Sequence, residues 1–386
     1  MATSILGIRM YRSNNGDCRT SSTIKIETNK LKMEDKLNWL ELPCKAPDEL
    51  ARQQAVEHQN QLTKPQGSLG LLEEIALDFA AWQGTSNPTL EKISITIFAA
   101  DHGICQQGVS AFPQEVTAQM ILNFIQQGAA ISVLAKDLNA DFKVINLGTV
   151  SPIPGAENTN QNARYIDASI ASCTADFSAK PAMTSSQLLA AIETGANQIG
   201  DIDLFIGGEM GIGNTTSASA IYSALLKRDP QDLVGPGTGV DLATQTKKAE
   251  LIARAIQSHS ALLTSPLETL RVLGGFEIAA LTGAYIKAAQ KGIPSLIDGF
   301  ICTAAALVAT KINPSASKWF LFGHQSAEPA HQLALNEFGA TPLLNLNMRL
   351  GEASGAAVAV PIIKIALSLH NNMATFASAG VSDSDA

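Results

Sequence analysis

Asp203-Leu204-Phe205-Ile206-Gly207-Gly208-Glu209-Met210-Gly211-Ile212-Gly213-Asn214-Thr215-Thr216 decides how this chain is read. The apolar run predicts a buried strand, the glycines a turn, and the alanine-rich segment Ser217 to Leu226 a helix. Glycines in such a turn let backbone N–H groups face inward, and a helix N-terminus adds positive potential. The combination is an anion site suited to a phosphate or carboxylate. Glu209 sets it apart from a simple phosphate loop, which carries no acid there. Taken alone, the loop is also consistent with a tight turn that needs glycine only for its geometry.

Two nucleotide motifs come close and fail. Gly208 to Gly213 followed by Asn214-Thr215 has the spacing of a triphosphate loop but lacks the lysine that reaches the outer phosphates. The dinucleotide fingerprint fails because Thr216 stands where its third glycine belongs. A monophosphate fits the loop better.

Composition excludes several classes. The 386 residues, 46% of them apolar, are enough for one large domain or two with a substantial core. Aromatics are scarce at 5%, which favours close-packed alanine- and glycine-rich helices over parallel strands. With a net charge of −8 and no basic stripe interleaved with aromatics, nucleic acid is not an expected partner. No apolar run is expected to reach the ~20 residues that span a bilayer. Cys18, Cys44, Cys105, Cys173 and Cys302 are dispersed and odd in number, as expected of reduced thiols in a cytoplasmic protein.

Residues 1–32 differ from the rest, with six Lys/Arg against Asp17 and Glu27 and many Ser, Thr and Asn. Such a basic, acid-poor start is found in organelle transit peptides. The simpler reading, adopted here, is an extension or an early start codon, with the folded part beginning near Met33-Glu34-Asp35.

Beyond it the pattern predicts an α/β protein with a mainly parallel sheet flanked by helices. Two helices are expected within Leu50 to Ala80. A strand is expected over Ile93 to Ala100, helices over Pro113 to Gln127 and Ala129 to Leu138, and a strand over Phe142 to Leu147. Residues 150–182 read as a long connection, and a helix covers Ser185 to Ile199. Further strands are expected at Leu204, Ser295 to Ile297, Lys318 to Phe322 and Leu343 to Asn347. Strand ends carry polar groups or glycine: Asp101-His102-Gly103, Asp298-Gly299, Gly323-His324-Gln325 and Arg349-Leu350-Gly351-Glu352. In parallel sheets ligands bind outside the carboxyl ends of the strands, so these segments and the Gly208–Thr216 loop converge on one edge.

Eight segments in order carry a family resemblance. They are Thr63 to Gly70 (TKPQGSLG), Ala100 to Gly103, Gly108 to Pro113 with Val116 to Met120, the Gly208–Thr216 loop, Gly235 to Gly239, Leu273 to Glu277, Gly323 to Pro329, and Arg349 to Gly355. The series resembles nicotinate-nucleotide:5,6-dimethylbenzimidazole phosphoribosyltransferase, of cobalamin nucleotide-loop assembly, over about residues 34–370. The resemblance implies a Rossmann-like large domain (91–350) and a small helical domain built from residues 33–90 and 351–386. It also implies a homodimer, a transfer of ribose 5-phosphate from nicotinate mononucleotide to 5,6-dimethylbenzimidazole, and no metal or other cofactor. Such a displacement needs one carboxylate base, because nicotinate leaves as a neutral ring nitrogen while the incoming benzimidazole must lose its N–H proton. Attack from the opposite face turns a β-nucleotide into an α-linked product.

Glu352, ahead of an alanine-rich helix, matches the family's catalytic glutamate and is the candidate base. Its other reading is an acid serving only the helix dipole. Glu209 corresponds to a second active-site glutamate. Gly211, Gly213, Gly237, Thr238, Gly239, Gln325 and Ser326 offer N–H groups or hydroxyls to phosphate. Asn214 and Thr215 could bond phosphate or ribose, or cap the helix. Lys248 matches a family lysine near the nucleotide. Ser110, Phe112, Gln119 and Leu350 are the candidate acceptor pocket. His102, His324 and His331 have no metal-ligand spacing. A non-catalytic nucleotide sensor on the same fold is disfavoured by the two retained glutamates. A phosphoribosyltransferase using a diphosphate donor is disfavoured by the lack of its acidic motif.

Overall fold

Strand β1 (Ile93–Ala100) is buried at all eight positions, as expected of a strand covered on both faces. It is central to a sheet in a computed structural model that describes residues 36–156, 163–235 and 241–382. The other strands are β2 (Asp141–Gly148), β3 (Arg164–Asp167), β4 (Leu204–Met210), β5 (Ser295–Ile297) and β6 (Phe320–Phe322). Their order is β3-β2-β1-β4-β5-β6 and every pairing is parallel. That is the doubly wound α/β order, whose direction of winding reverses between β1 and β4.

Two successive glycines in β4 show how closely the layers approach. A side chain at Gly207 would strike Leu281 on the Phe276–Lys291 helix, and one at Gly208 would strike Ile97 and Ala353. Adjacent strand residues face opposite sides, so helices press on the sheet from both. These glycines therefore serve packing, and β4 continues through them to Met210. The expectation that the strand opens into a turn at Gly207 is corrected: Glu209 lies within the strand.

Other differences are local. The connection over 150–182 contains β3, a four-residue strand whose mixed sequence Arg-Tyr-Ile-Asp gave no alternating signal. Leu343 to Asn347 is not a strand; only Leu344 makes a single parallel bridge, with His324. The segment before β6 coils as a 3-10 helix (Pro314–Trp319).

The N-terminal helices Glu49–Gln59 and Leu71–Gln83 pack together, and the second packs on the long Ser354–Asn372 helix. Leu62 bridges Thr375 in antiparallel fashion, and the buried His370 ring lies 2.8 Å from Gln59 and 2.9 Å from the Ser86 carbonyl. Contrary to expectation, two stretches, Glu115–Asp137 and Ser354–Asn372, are long and apolar enough by length and composition to cross a membrane. The first is broken by the turn between two helices, and the second carries Pro361 and a face buried against Leu71–Gln83. Both fit the role of core helices.

Candidate functional site

A cavity of about 320 Å³ opens at the carboxyl ends of β4, β5 and β6, beside the reversal point of the sheet. Its floor carries Glu209 from β4, Asp298 just after β5, His324 just after β6, and Glu352. Gly211, Asn214 and Thr215 line the side formed by the loop and the following helix, Asn214–Leu226, whose N-cap is Gly213. Phe112, Val116 and Met120, spaced by four from just before the Glu115–Ile125 helix into its first turns, make an apolar wall with Leu350 at the mouth.

The two glutamates are joined directly. The Glu352 N–H donates to Glu209 Oε1 at 3.4 Å, and the Asn214 amide donates to Glu209 Oε2. Glu352 and Ala353 both have positive φ, 61° and 62°, a conformation L-residues rarely adopt. Glu352 therefore sits on a strained turn ahead of the Ser354–Asn372 helix, not inside that helix, and follows a loop instead of the expected strand.

Burial dominates the electrostatics. It pushes the Glu352 carboxyl up to about 7, with Asp298 adding to the effect. Glu209 is raised well above the carboxylate range by burial, then by Asp298 and Glu277. Asp298 goes the other way. Burial would raise it, but the bond and charge of His324 and the N–H groups of Ala356 and Gly299 bring it below its ordinary value. The floor thus holds Asp298, held below its ordinary value, beside Glu352, poised near neutrality, and Glu209, raised well above the ordinary carboxylate value.

Lys248 lies behind the cavity wall. It is 2% exposed and donates to the Thr215 hydroxyl at 3.2 Å. Burial lowers its pKa to about 8, opposed by Glu328. Ser326 lines the cavity, and its N–H donates to His331 Nδ1. Burial, with His324 next in effect, lowers His331 to about 4, so it accepts this bond as the neutral ring.

The remaining expected residues lie off the wall. Gly213 faces Cys105 and His102. The Gln325 side chain accepts from Asn345. The Ser110 hydroxyl accepts from the Phe112 N–H, and Gln119 is exposed to solvent. Gly237, Thr238 and Gly239 lie outside the described residues, as does the 1–32 segment. Reading the sequence missed Val116, Met120 and Glu328 as lining residues, and it placed Asp298, His324 and Arg349 at this edge without giving them a role. The four-residue spacing from Phe112 was the available signal for the first two, and position at a strand end for Asp298 and His324.

Beneath the loop is a second buried set. The His102 ring lies 3.0 Å from the Ser217 hydroxyl and 2.8 Å from Glu277 Oε1. A side chain at Gly211 would come within 2.3 Å of the Ala100 carbonyl and 3.3 Å of this ring. The glycine is thus required by the protein's own backbone at the end of β1.

Comparison with known proteins identifies the family. Residues 44–381 match a family model described as phosphoribosyltransferase. The nicotinate-nucleotide–dimethylbenzimidazole phosphoribosyltransferase of Xanthomonas oryzae pv. oryzae (strain PXO99A) is 53% identical over 351 residues, covering 90% of this chain and 99% of that protein. The protein of the same name from Ectopseudomonas mendocina (strain ymp) is 51% identical over 352 residues, covering 90% and 98%. The crystal structure of CobT from Thermus thermophilus superposes with a TM-score of 0.79 at 39% identity, covering 86% of this chain and 99% of that one. With identity above one half across nine-tenths of its length, the chain belongs to the nicotinate-nucleotide–dimethylbenzimidazole phosphoribosyltransferase family.

Proposed function

We propose that the chain transfers ribose 5-phosphate from nicotinate mononucleotide to 5,6-dimethylbenzimidazole, giving α-ribazole 5′-phosphate and nicotinate. The bond from C1′ to the nicotinate nitrogen breaks as the bond to a benzimidazole nitrogen forms on the opposite face. Nicotinate departs with the bonding pair on a neutral ring nitrogen, its carboxylate unchanged, and the proton of the other benzimidazole nitrogen passes to Glu352. Positive charge gathers at C1′ as the old bond lengthens, and the acidic floor is suited to stabilise it.

The observation that carries this reading is the pair Glu209–Glu352, joined on the floor of a cavity with an apolar wall. A base should have a pKa near the working pH, and Glu352, at about 7, meets that demand. In this reading Glu209 positions the ribose. Gly211, Gly213, Asn214, Thr215, Gln325, Ser326 and residues 237–239 receive the nucleotide, with Lys248 as their cation. Phe112, Val116, Met120 and Leu350 hold the flat acceptor ring, with Ser110 and Gln119 at the outer edge of that region. The reading includes a small helical domain of residues 33–90 and 351–386 against a large domain of 91–350. The packing of Leu71–Gln83 on Ser354–Asn372 supports that division. A homodimer in the cytoplasm completes it.

The test incubates the purified protein with nicotinate mononucleotide and a panel of aromatic bases without added metal, and identifies products by mass and anomeric configuration. An α-linked nucleotide of 5,6-dimethylbenzimidazole is expected. Absence of any nucleotide product would overturn the reading.

A further inference from the structure

Asp298 is buried at 1% exposure on the cavity floor and holds two elements at once. Its Oδ1 accepts the Ala356 N–H at 2.8 Å and lies 3.4 Å from His324 Nε2. Ala356 is in the first turn of the helix that begins immediately after Glu352-Ala353. The surroundings leave that turn little freedom. A side chain at Gly355 would overlap the His324 ring, and one at Gly323 would come within 2.6 Å of Ala356. The strained pair at 352 and 353 is thus braced on one side by Glu209 and on the other by Asp298.

A carboxylate in this position is costly unless it acts, because burial penalises charge and Glu209 and Glu352 are both close enough to repel it. An asparagine could accept the same bond from Ala356 without that penalty. The charge itself therefore calls for an explanation. The ionisable groups around the floor are Glu209 from β4, Glu277 and Tyr285 from the Phe276–Lys291 helix, Cys302 from the Phe300–Ile312 helix, and His324 and His331 after β6. Glu328 and Arg349 also line the cavity, and Lys248 lies buried behind its wall. The charge of Asp298 adds to burial in raising Glu352, and Glu352 in turn raises Glu209.

We propose that Asp298 is a positioning residue for the transfer: it anchors the turn that presents Glu352 and, paired with His324, supplies the negative charge that makes Glu352 a stronger base. This rests on Glu352 being the base. A nearby negative charge disfavours a second one, so Glu352 binds its proton more tightly while Asp298 is ionised. Removing the charge should make Glu352 easier to ionise and a weaker proton acceptor.

The experiment compares pH–rate profiles of the wild type, Asp298→Asn, Asp298→Ala and Glu352→Gln, with melting temperature and donor KM measured for each. Asp298→Asn keeps the acceptor for Ala356. It should fold, retain donor KM within a few-fold, and move the acid limb of kcat to lower pH by roughly one unit, with a lower plateau. Asp298→Ala loses the anchor as well and should show the same limb with a further fall in kcat. If the asparagine variant does not fold, Asp298→Ser, smaller and uncharged, should show the same displacement. A folded neutral variant whose acid limb stays at the wild-type pH overturns the proposal. An acid limb that persists in Glu352→Gln removes Glu352 as the titrating base, and this inference with it. That failure is recognised in the glutamine variant alone, whatever Asp298→Asn does.

Discussion

The backbone N–H of Glu352 points at the carboxyl of Glu209, 143 residues earlier in the chain, at a distance of 3.4 Å. The two acids are therefore not independent. The group that orients Glu352's backbone is itself raised far above the usual carboxylate range. A carboxyl oxygen accepts from N–H whether or not the group carries its proton, so the link does not depend on the ionisation of Glu209.

Glu352→Gln keeps size and an acceptor but removes the ability to take a proton. Turnover should fall by about 10²–10⁴-fold while donor affinity changes little. Orientation of the acceptor nitrogen against C1′ survives, which bounds the loss. Steady-state kinetics beside direct donor titration checks this. A near-wild-type rate in Glu352→Gln, with Glu209→Gln inactive, would transfer the role to Glu209.

The same residue makes a prediction about stability. Glu352 moves from an ordinary 4.5 to about 7 in the folded protein, so the fold favours its protonated form. Its contribution is fully present below pH 4.5 and is lost as pH rises through about 7. Glu352→Gln should therefore be more stable than the wild type at pH 8, by on the order of 2 kcal/mol, and converge with it near pH 4. Equal melting curves at both pH values would contradict the shift.

Gly211→Val should damage the fold as well as donor binding. The added carbon meets the Ala100 carbonyl at 2.3 Å, and overpacking against backbone costs about 1–3 kcal/mol or more. Calorimetry should show a lowered melting temperature, and titration with nicotinate mononucleotide a severe loss of affinity. A stable variant with intact binding would remove this loop from the donor site.

Lys248→Ala should weaken donor binding less than Gly211→Val does, and more visibly at low salt. Because Lys248 sits near pKa 8, wild-type affinity for the nucleotide should fall as pH rises through about 8. The alanine variant should lack that fall. Isothermal titration from about pH 6.5 to about 9.5, spanning that pKa, distinguishes the two.

A chain beginning at Met33 should fold and keep full activity, given the charge break there and a family match that begins at residue 44. Melting temperature and turnover within error of the full chain are expected. A large fall in either would show that residues 1–32 belong to the folded protein.

Much of the fold was legible because most of its strands are short, largely apolar runs. Ile93–Ala100 and Ser295–Ile297 lie where the apolar pattern placed them. What misled was glycine. In β4 the pair Gly207-Gly208 reads as a turn, but it is the close approach of a helix and of Ala353 that removes the side chains, and that approach is a tertiary fact. β3 escaped for the opposite reason, since an edge strand with exposed ends carries no apolar run. In the site, Glu209 and Glu352 could be singled out because their motifs are distinctive. Asp298 could be placed at a strand end, but not seen to reach Ala356. Nor could Lys248 be seen to be buried, as its helix also carries Lys247, Glu250 and Arg254 in a mostly polar sequence.

The parallel pairing of β1 with β4 joins Ile93 to Leu204 and leaves the intervening chain to be threaded through a crossover first. Closing so long a loop is slow relative to local helix formation. Every floor carboxyl comes from β4 or later, and the wall from the helix after β1, so a nascent chain has no partial version of the cavity. A bound nucleotide would then act as a reporter of completed folding: it can stabilise only molecules in which residues 112 to 352 have already assembled, and it offers nothing to the intermediates before them.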